Sequence, residues 1–446
     1  MITIIALMIV YIALASLPKH SDFRAVSYMS TNFATYGLDF IGGIKNMMDY
    51  PPTFFIIQGA WIKLGSIILG FSTAGILKDF MNPASFPGVF PLWGMAPQLL
   101  CLAAFAAAAY VSLKNKWLTV LCFGTMSFVS IIVMGQIDVF YTFLIFLSVI
   151  LFLKALKGDH HRRYFLLSLI SLGISLQFKL FGGLLLPLYL LMIYNYYNVS
   201  RANITAAVKD IIAYTIAFTA AALFIWVPFA RWFVPVLLEG ESGWLFNLQI
   251  SPVDLPFHTI SIWLLGYIVI LYYLWHTVRK APEKVSRDPK HFIYFFFTII
   301  AWFFITVYAH PQWWILMLPA ILLILDNFRS RENYVFAFAI MTAVIFYATM
   351  WTEVADTIRN YLPVLEVTGR LTMLLWTATV ATLIIWIVDL GRQMREEDPG
   401  APVARNVGDL PGKAYDRLAP LALLALPFIV FFLAGLAFWL VRLRGS

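Results

Sequence analysis

Residues 418–441, LAPLALLALPFIVFFLAGLAFWLV, carry no charged side chain, and residues 371–390, LTMLLWTATVATLIIWIVDL, carry a single acid near the end. Each is about 20 or more predominantly apolar residues, the length an α-helix needs to cross a hydrocarbon core of roughly 30 Å. The other residues have the same character. Of 446 residues, 61% are hydrophobic and 12% charged, against about 45–50% and about 25% in soluble domains. A mean hydropathy of +0.83 agrees. This composition excludes a soluble enzyme, a nucleic-acid-binding domain and a disulfide-stapled secreted module. It predicts an integral membrane protein. The net charge of +8 reads as basic loops facing anionic lipid, with no nucleic acid as partner. Cys101 and Cys122 both lie in apolar runs and read as core thiols.

Apolar segments fall near 1–17, 53–71, 89–112, 117–134, 138–155, 164–178, 180–196, 210–230, 259–277, 292–308, 311–326, 334–351, 371–390 and 418–441. The first lacks a good small-residue cleavage site at Ser16-Leu17-Pro18-Lys19 and reads as a retained span rather than a signal peptide. Clusters at Lys114–Lys116, Lys154–Arg163, Arg279–Lys290 and Arg392–Arg417 orient the chain by the positive-inside rule. Alternating from them places 20 of the 31 Lys and Arg residues inside and 11 outside. Parity then forbids 53–71 from crossing once. With Gln58, Lys63 and a double proline at its start, it reads as an amphipathic helix in the outer interface.

The fold class this predicts is all-α, a polytopic transmembrane helical bundle of about 13 spans, with a large extracytoplasmic first loop, 18–88, containing juxtamembrane helices. We divide the chain into a module at 1–200 and a transmembrane module at 201–390 with a second outer loop at 231–258. A cytoplasmic linker at 391–417 and a C-terminal span at 418–446 follow. The sequons at Asn198 and Asn203 fall in an expected cytoplasmic loop and carry no signal.

Polar residues gather at the expected outer ends, while mid-span charges are almost absent. Ionisable groups so close to hydrocarbon are costly and usually face a cavity or do chemistry. Asp22 follows the first span; it is a candidate base or simply a loop acid that ends the span. Asp49-Tyr50-Pro51-Pro52 ends the first half of the outer loop with two prolines that fix the backbone. The motif either holds Asp49 and Tyr50 at a cavity mouth or only starts a helix. Gly135-Gln136-Ile137-Asp138 is a turn whose Gln136 and Asp138 suit hydroxyl-rich ligands, or a plain interhelical connection. Lys179, isolated between two apolar segments, either snorkels to headgroups or holds an anion as a compact point charge. In His310-Pro311-Gln312-Trp313-Trp314 the tryptophan pair reads as an interfacial belt, leaving His310 and Gln312 as candidates.

Taken in order, an acid after the first span, Asp49-Tyr50-Pro51-Pro52, Gly135-Gln136-Ile137-Asp138, Phe178-Lys179 and His310 near an outer turn resemble the GT-C membrane glycosyltransferases that use polyprenyl-phosphate sugars. The likeness is greatest to the dolichyl-phosphate-glucose glucosyltransferases of lipid-linked oligosaccharide synthesis and their prokaryotic relatives. It covers mainly residues 1–200, with a weaker echo at 308–325. The resemblance implies an inverting hexosyltransferase in the plasma or inner membrane of a prokaryote, with its active site on the extracytoplasmic face. Its partners would be a polyprenyl-phosphate-linked sugar donor, a glycan or lipid-linked acceptor, and membrane lipid. Asp22 would be the base. Lys179 would hold the donor phosphate with Arg231 or Arg370 beside it, and His310 would hold phosphate or sugar. Asp49, Tyr50, Gln136, Asp138 and Gln312 would bind sugar or acceptor. The sequence departs from the pattern where Phe23-Arg24 follows the acid in place of an acidic pair, and at His310-Pro311-Gln312, which lacks the acid after the histidine. These departures weigh against a divalent metal without removing it, and no cofactor is assigned. A transporter or flippase of polyprenyl-linked glycans is the alternative from another class, and an O-antigen polymerase or ligase the alternative enzyme.

Overall fold

The computed structural model describes residues 2–14, 21–37, 52–79, 90–133, 135–158, 160–199, 204–225, 227, 252–254, 259–307, 311–328, 330–351, 366–396 and 417–425. The helices are α1 (Ile2–Leu14), α2 (Ser21–Tyr36), α3 (Pro52–Leu69), α4 (Thr73–Asp79), α5 (Phe90–Ser112), α6 (Asp138–Ala155), α7 (His161–Leu176), α8 (Phe181–Val199) and α9 (Ile204–Leu223). They continue with α10 (Ile262–Lys280), α11 (Pro282–Arg287), α12 (Pro289–Thr306), α13 (Met317–Asn327), α14 (Arg331–Trp351) and α15 (Glu366–Glu396). Four stretches, Leu92–Ser112, Asp138–Ala155, Ile262–Lys280 and Pro289–Thr306, are long and apolar enough to cross a membrane. On α10 the apolar side chains of Leu265, Ile268, Val269 and Tyr272 are exposed, a surface that belongs against hydrocarbon rather than water.

The described residues are all but entirely helical, as the sequence reading expects, with one short ladder in which Pro252–Asp254 pairs antiparallel with Thr259–Ser261, Val253 opposite Ile260. One feature differs from that reading: the apolar segment 117–134 is not one α-helix. It is a 3-10 segment at Lys116–Phe123, a single α turn at Thr125–Ser127 and a π segment at Phe128–Val133. Gly124 makes the break in an extended conformation, with ψ −169°. π segments insert a residue into the helical ladder and recur at functional sites.

The centre of the bundle is the antiparallel pair α6 and α7, with α8, α9, α5 and α12 around it. Ser148 donates to the carbonyl of Ser168 (2.8 Å), Ser168 returns a bond to the carbonyl of Ser148 (2.9 Å), and Ser171 donates to the carbonyl of Leu144 (2.8 Å). Small hydroxyl residues let two backbones approach where lipid supplies no hydrophobic drive. A single buried cluster runs from Tyr11 through Phe146, Phe296 and Ile321 to Leu424, so both sequence-defined modules share one core. In the first-loop region α2, α3 and α4 pack together. Ser30 donates to Gln58 (2.8 Å), Gln58 to the carbonyl of Gly94 (2.9 Å), and the indoles of Trp61 and Trp93 stack 4.8 Å apart. Those bonds fix α2 and α3 onto α5.

Candidate functional site

The turn before α6 brings the site together. Gly135 has a φ of +64°, a left-handed conformation that costs glycine little. Its backbone N–H donates to the carbonyl of Ile131 (3.0 Å), and that of Gln136 to the carbonyl of Ser130 (2.9 Å). The chain therefore folds back on the π segment and starts α6 with Asp138. A carboxylate there interacts favourably with the helix N-terminus.

Lys179 sits in the turn between α7 and α8. Gly182 permits the close return: a Cβ there would lie 2.2 Å from Ser175 Oγ and 2.9 Å from the carbonyl oxygen of Leu172. The Lys179 ammonium donates to Asp138 Oδ1. Asp138 is fully buried and Lys179 is 9% exposed. Around the ammonium, the Tyr141 ring lies 5.6 Å away and the Trp313 ring 5.0 Å. Phe181 packs on Tyr141 (5.6 Å) and Trp313 (5.8 Å). A desolvated cation over ring faces is attracted by their quadrupoles, by about 2 kcal/mol in favourable cases.

The tryptophan pair is therefore not a lipid belt. Trp313 faces Lys179, and Trp314 is buried and stacked on Phe304 at 4.4 Å. The charge of Lys179 and the rings of Phe181 and Phe303 hold Trp313 inside.

α3 reaches the same end of the bundle. Thr53 donates to Gln177 Oε1 (3.4 Å), and Gln177 donates to the carbonyl of Ala221 in α9. Phe54 packs on Phe140 (5.9 Å), which stacks on Phe178 (5.2 Å). Thr53 comes four residues after Asp49 in sequence, and Trp313 three after His310. Among the described residues the buried atoms Gln136 Oε1, Ser130 Oγ, Thr142 Oγ1 and Trp314 Nε1 have no hydrogen-bond partner. Each such group costs roughly 1–3 kcal/mol unless something polar satisfies it. Thr142 lies one turn beyond Asp138 on the same helix face.

The structure thus joins Asp138, Lys179 and Gln136 of the sequence candidates. It adds Thr53, Tyr141, Thr142, Gln177 and Trp313, which sequence reading missed. Asp22 is in the first turn of α2, Gln312 in the 3-10 segment Pro311–Leu316 and Arg370 in α15, with side chains outside the described set. Asp49, Tyr50, Arg231 and His310 lie outside the described residues. Among the described residues no three His, Cys, Asp or Glu side chains converge as a metal site.

The basic turns collect at the other end. Lys114 donates to Asn327 (3.0 Å), Lys290 lies 5.4 Å from the Phe328 ring, Arg417 5.9 Å from the Trp117 ring, and Arg162 pairs with Asp210 (2.9 Å). α6 joins the two ends: at about 1.5 Å per residue its length separates Asp138 from Lys154 by roughly 25 Å. The chain matches no family model, no curated protein and no solved structure.

Proposed function

We propose that this chain is an integral membrane glycosyltransferase of the GT-C kind, threading the membrane about 13 times. In this reading it lies in the plasma or inner membrane of a prokaryote and transfers a hexose on the extracytoplasmic face. The donor is a polyprenyl phosphate sugar, and the acceptor a hydroxyl of a lipid-linked or envelope glycan. The observation that carries the reading is the buried Asp138–Lys179 pair under aromatic rings, next to unsatisfied polar groups, at the end of the bundle away from the lysine-rich turns. A charged pair in so apolar a chain is a functional-site hypothesis by default.

The chemistry has one displacement. The acceptor oxygen attacks the anomeric carbon and the bond from that carbon to the phosphate oxygen breaks. The polyprenyl phosphate leaves with the electron pair, and the hydroxyl proton passes to Asp22. A single in-line displacement inverts the anomeric centre, by the logic of inverting hydrolases. The leaving group is already anionic and needs cations more than an acid. Lys179, beside Asp138, supplies the cation that faces the phosphate oxygens, and Arg231 or Arg370 adds bidentate contacts. Gln136, Asp138 and Thr142 meet sugar hydroxyls, with Asp49, Tyr50, His310 and Gln312 completing the pocket.

The test is transfer of label from radiolabelled polyprenyl-phosphate hexoses into a lipid-glycan extract, using purified wild type and Asp22→Asn. Transfer by wild type alone supports both the reaction and its base. Equal transfer by both keeps the enzyme and removes Asp22 from this role. Absence of both transfer and donor binding with every hexose refutes the reading.

A further inference from the structure

At the lysine end, 25 Å or so along α6 from the charged pair, the described residues line an open cavity of about 330 Å³. Three lysines from two separate elements line it: Lys114 after α5, and Lys154 and Lys157 at the end of α6 and in the turn beyond. Among the described residues Asp326 is the one lining acid, and both of its oxygens are engaged. Oδ2 accepts from the backbone N–H of Lys114 (3.1 Å) and Oδ1 from that of Asn115 (2.8 Å). The Lys114 ammonium donates to neutral Asn327. The ammonium groups of Lys154 and Lys157 have no partner among the described residues. The described lining residues therefore carry two more positive charges than negative ones, on exposed lysines.

Lysines at a helix C-terminus are ordinarily explained by the helix dipole, which accounts for Lys154. It accounts as well for Lys114, which follows the end of α5, but not for two helix ends bringing three lysines to one cavity. The inner wall is apolar, formed by Ile150, Leu153 and Leu323. Two stretches of spanning length, Leu92–Ser112 and Asp138–Ala155, end at this cavity. A site with several lysines at its rim and an apolar wall at the end of membrane-length helices suits an anion attached to a chain. Basic pockets between membrane helices hold anionic lipid headgroups for this reason.

We infer that this cavity binds a phosphate ester through Lys114, Lys154 and Lys157, the ligand being an anionic phospholipid whose chains continue along the apolar wall. The inference is independent of the proposed transferase reaction. Full-length protein, delipidated in detergent, is titrated with phosphatidylglycerol, phosphatidylcholine or glycerol 3-phosphate and read by native mass spectrometry. The expected result is saturable phosphatidylglycerol binding that weakens about 30-fold in Lys154→Gln/Lys157→Gln, roughly fivefold per lysine. A matched charge change elsewhere, Lys209→Gln/Lys280→Gln, leaves it unchanged. Glycerol 3-phosphate binding with the same lysine dependence and displacing the lipid keeps the phosphate site and assigns it to a soluble ester. Equal loss in both double variants, or none in either, overturns the inference. Both variants change exposed side chains, and an unaltered unfolding temperature checks that the fold persists.

Discussion

The two ends of the bundle handle positive charge in opposite ways. At one, Lys179 is withdrawn from solvent, given a carboxylate and roofed by Tyr141 and Trp313. At the other, Lys154 and Lys157 stay exposed, and Asp326, which lines the same cavity, is taken up by backbone N–H groups. Desolvation explains why the first arrangement needs a partner and the second does not. Taking an ion out of water costs several kcal/mol, repaid only by close pairing, whereas a solvated ammonium needs no partner. Buried charge is thus committed to one geometry, while exposed charge is available to whatever approaches.

The sharpest way to break this contrast is to remove half of the buried pair. Lys179→Met leaves the Asp138 carboxylate buried without its cation and is expected to cost about 3–5 kcal/mol. It should show as a large drop in unfolding temperature in detergent. Lys179→Met together with Asp138→Leu replaces two charges by apolar volume and should recover most of that loss. If the transferase reading holds, transfer stays absent in the double variant although its fold is restored. Recovery of transfer along with stability would make the pair purely structural.

A second test asks whether the turn that presents Lys179 is as tight as the pair requires. Gly182→Ala places a methyl against Ser175 and Leu172, and overpacking of this kind costs about 1–3 kcal/mol. Its effect should appear in unfolding temperature and in donor affinity together, since the same turn carries Lys179. Unchanged affinity with lowered stability would separate the lysine from the donor.

Much of this contrast is legible in the amino-acid sequence. The membrane class follows from composition, and the sequence marks Asp138, Lys179 and Gln136 because polar groups beside long apolar runs are costly. It does not show that Asp138 and Lys179 meet. That depends on the register of α6 against α7, set by reciprocal bonds between Ser148 and Ser168, and serine is too common for two of them to announce a contact. Trp313 reads as interfacial in the sequence because tryptophan is also the residue of membrane interfaces. The signal that could place it inside is its position three residues after His310, within reach of an unexplained cation. The segment 117–134 reads as a plain span because hydropathy does not distinguish α from 3-10 or π winding.

Midway between the ends, the serine ladder gives an intermediate case. Ser148→Ala leaves Ser168 a donor with its partner carbonyl intact but removes the return bond and the bond from Ser148 to the Tyr189 hydroxyl. Interhelical bonds inside membranes average about 0.6 kcal/mol by double-mutant cycles. Ser148→Ala should therefore lower stability slightly, and Ser148→Ala/Ser168→Ala should fall short of additive, because the two hydroxyls also meet at 3.2 Å and either variant removes that contact. A strictly additive loss would mean that the serines act through separate contacts and do not set the register together.

The smallest effect is expected at the lysine end. Lys114 meets Asn327 in an exposed contact, so Lys114→Gln should shift stability by no more than about 0.5 kcal/mol, the range of ordinary surface substitutions. Asp326→Asn is the more informative neighbour. It keeps one oxygen for the backbone of Asn115 and loses the second acceptor that serves Lys114. A charge-assisted bond becomes a neutral one, worth roughly half as much. The same change removes a negative charge from the cavity lining, so phosphatidylglycerol should bind more tightly to this variant even as the fold loosens slightly. Stability and anion affinity moving in opposite directions is the signature of exposed charge held in reserve. If both fall together, the lysine end is built on the same committed pairing as the site end, and the contrast between them disappears.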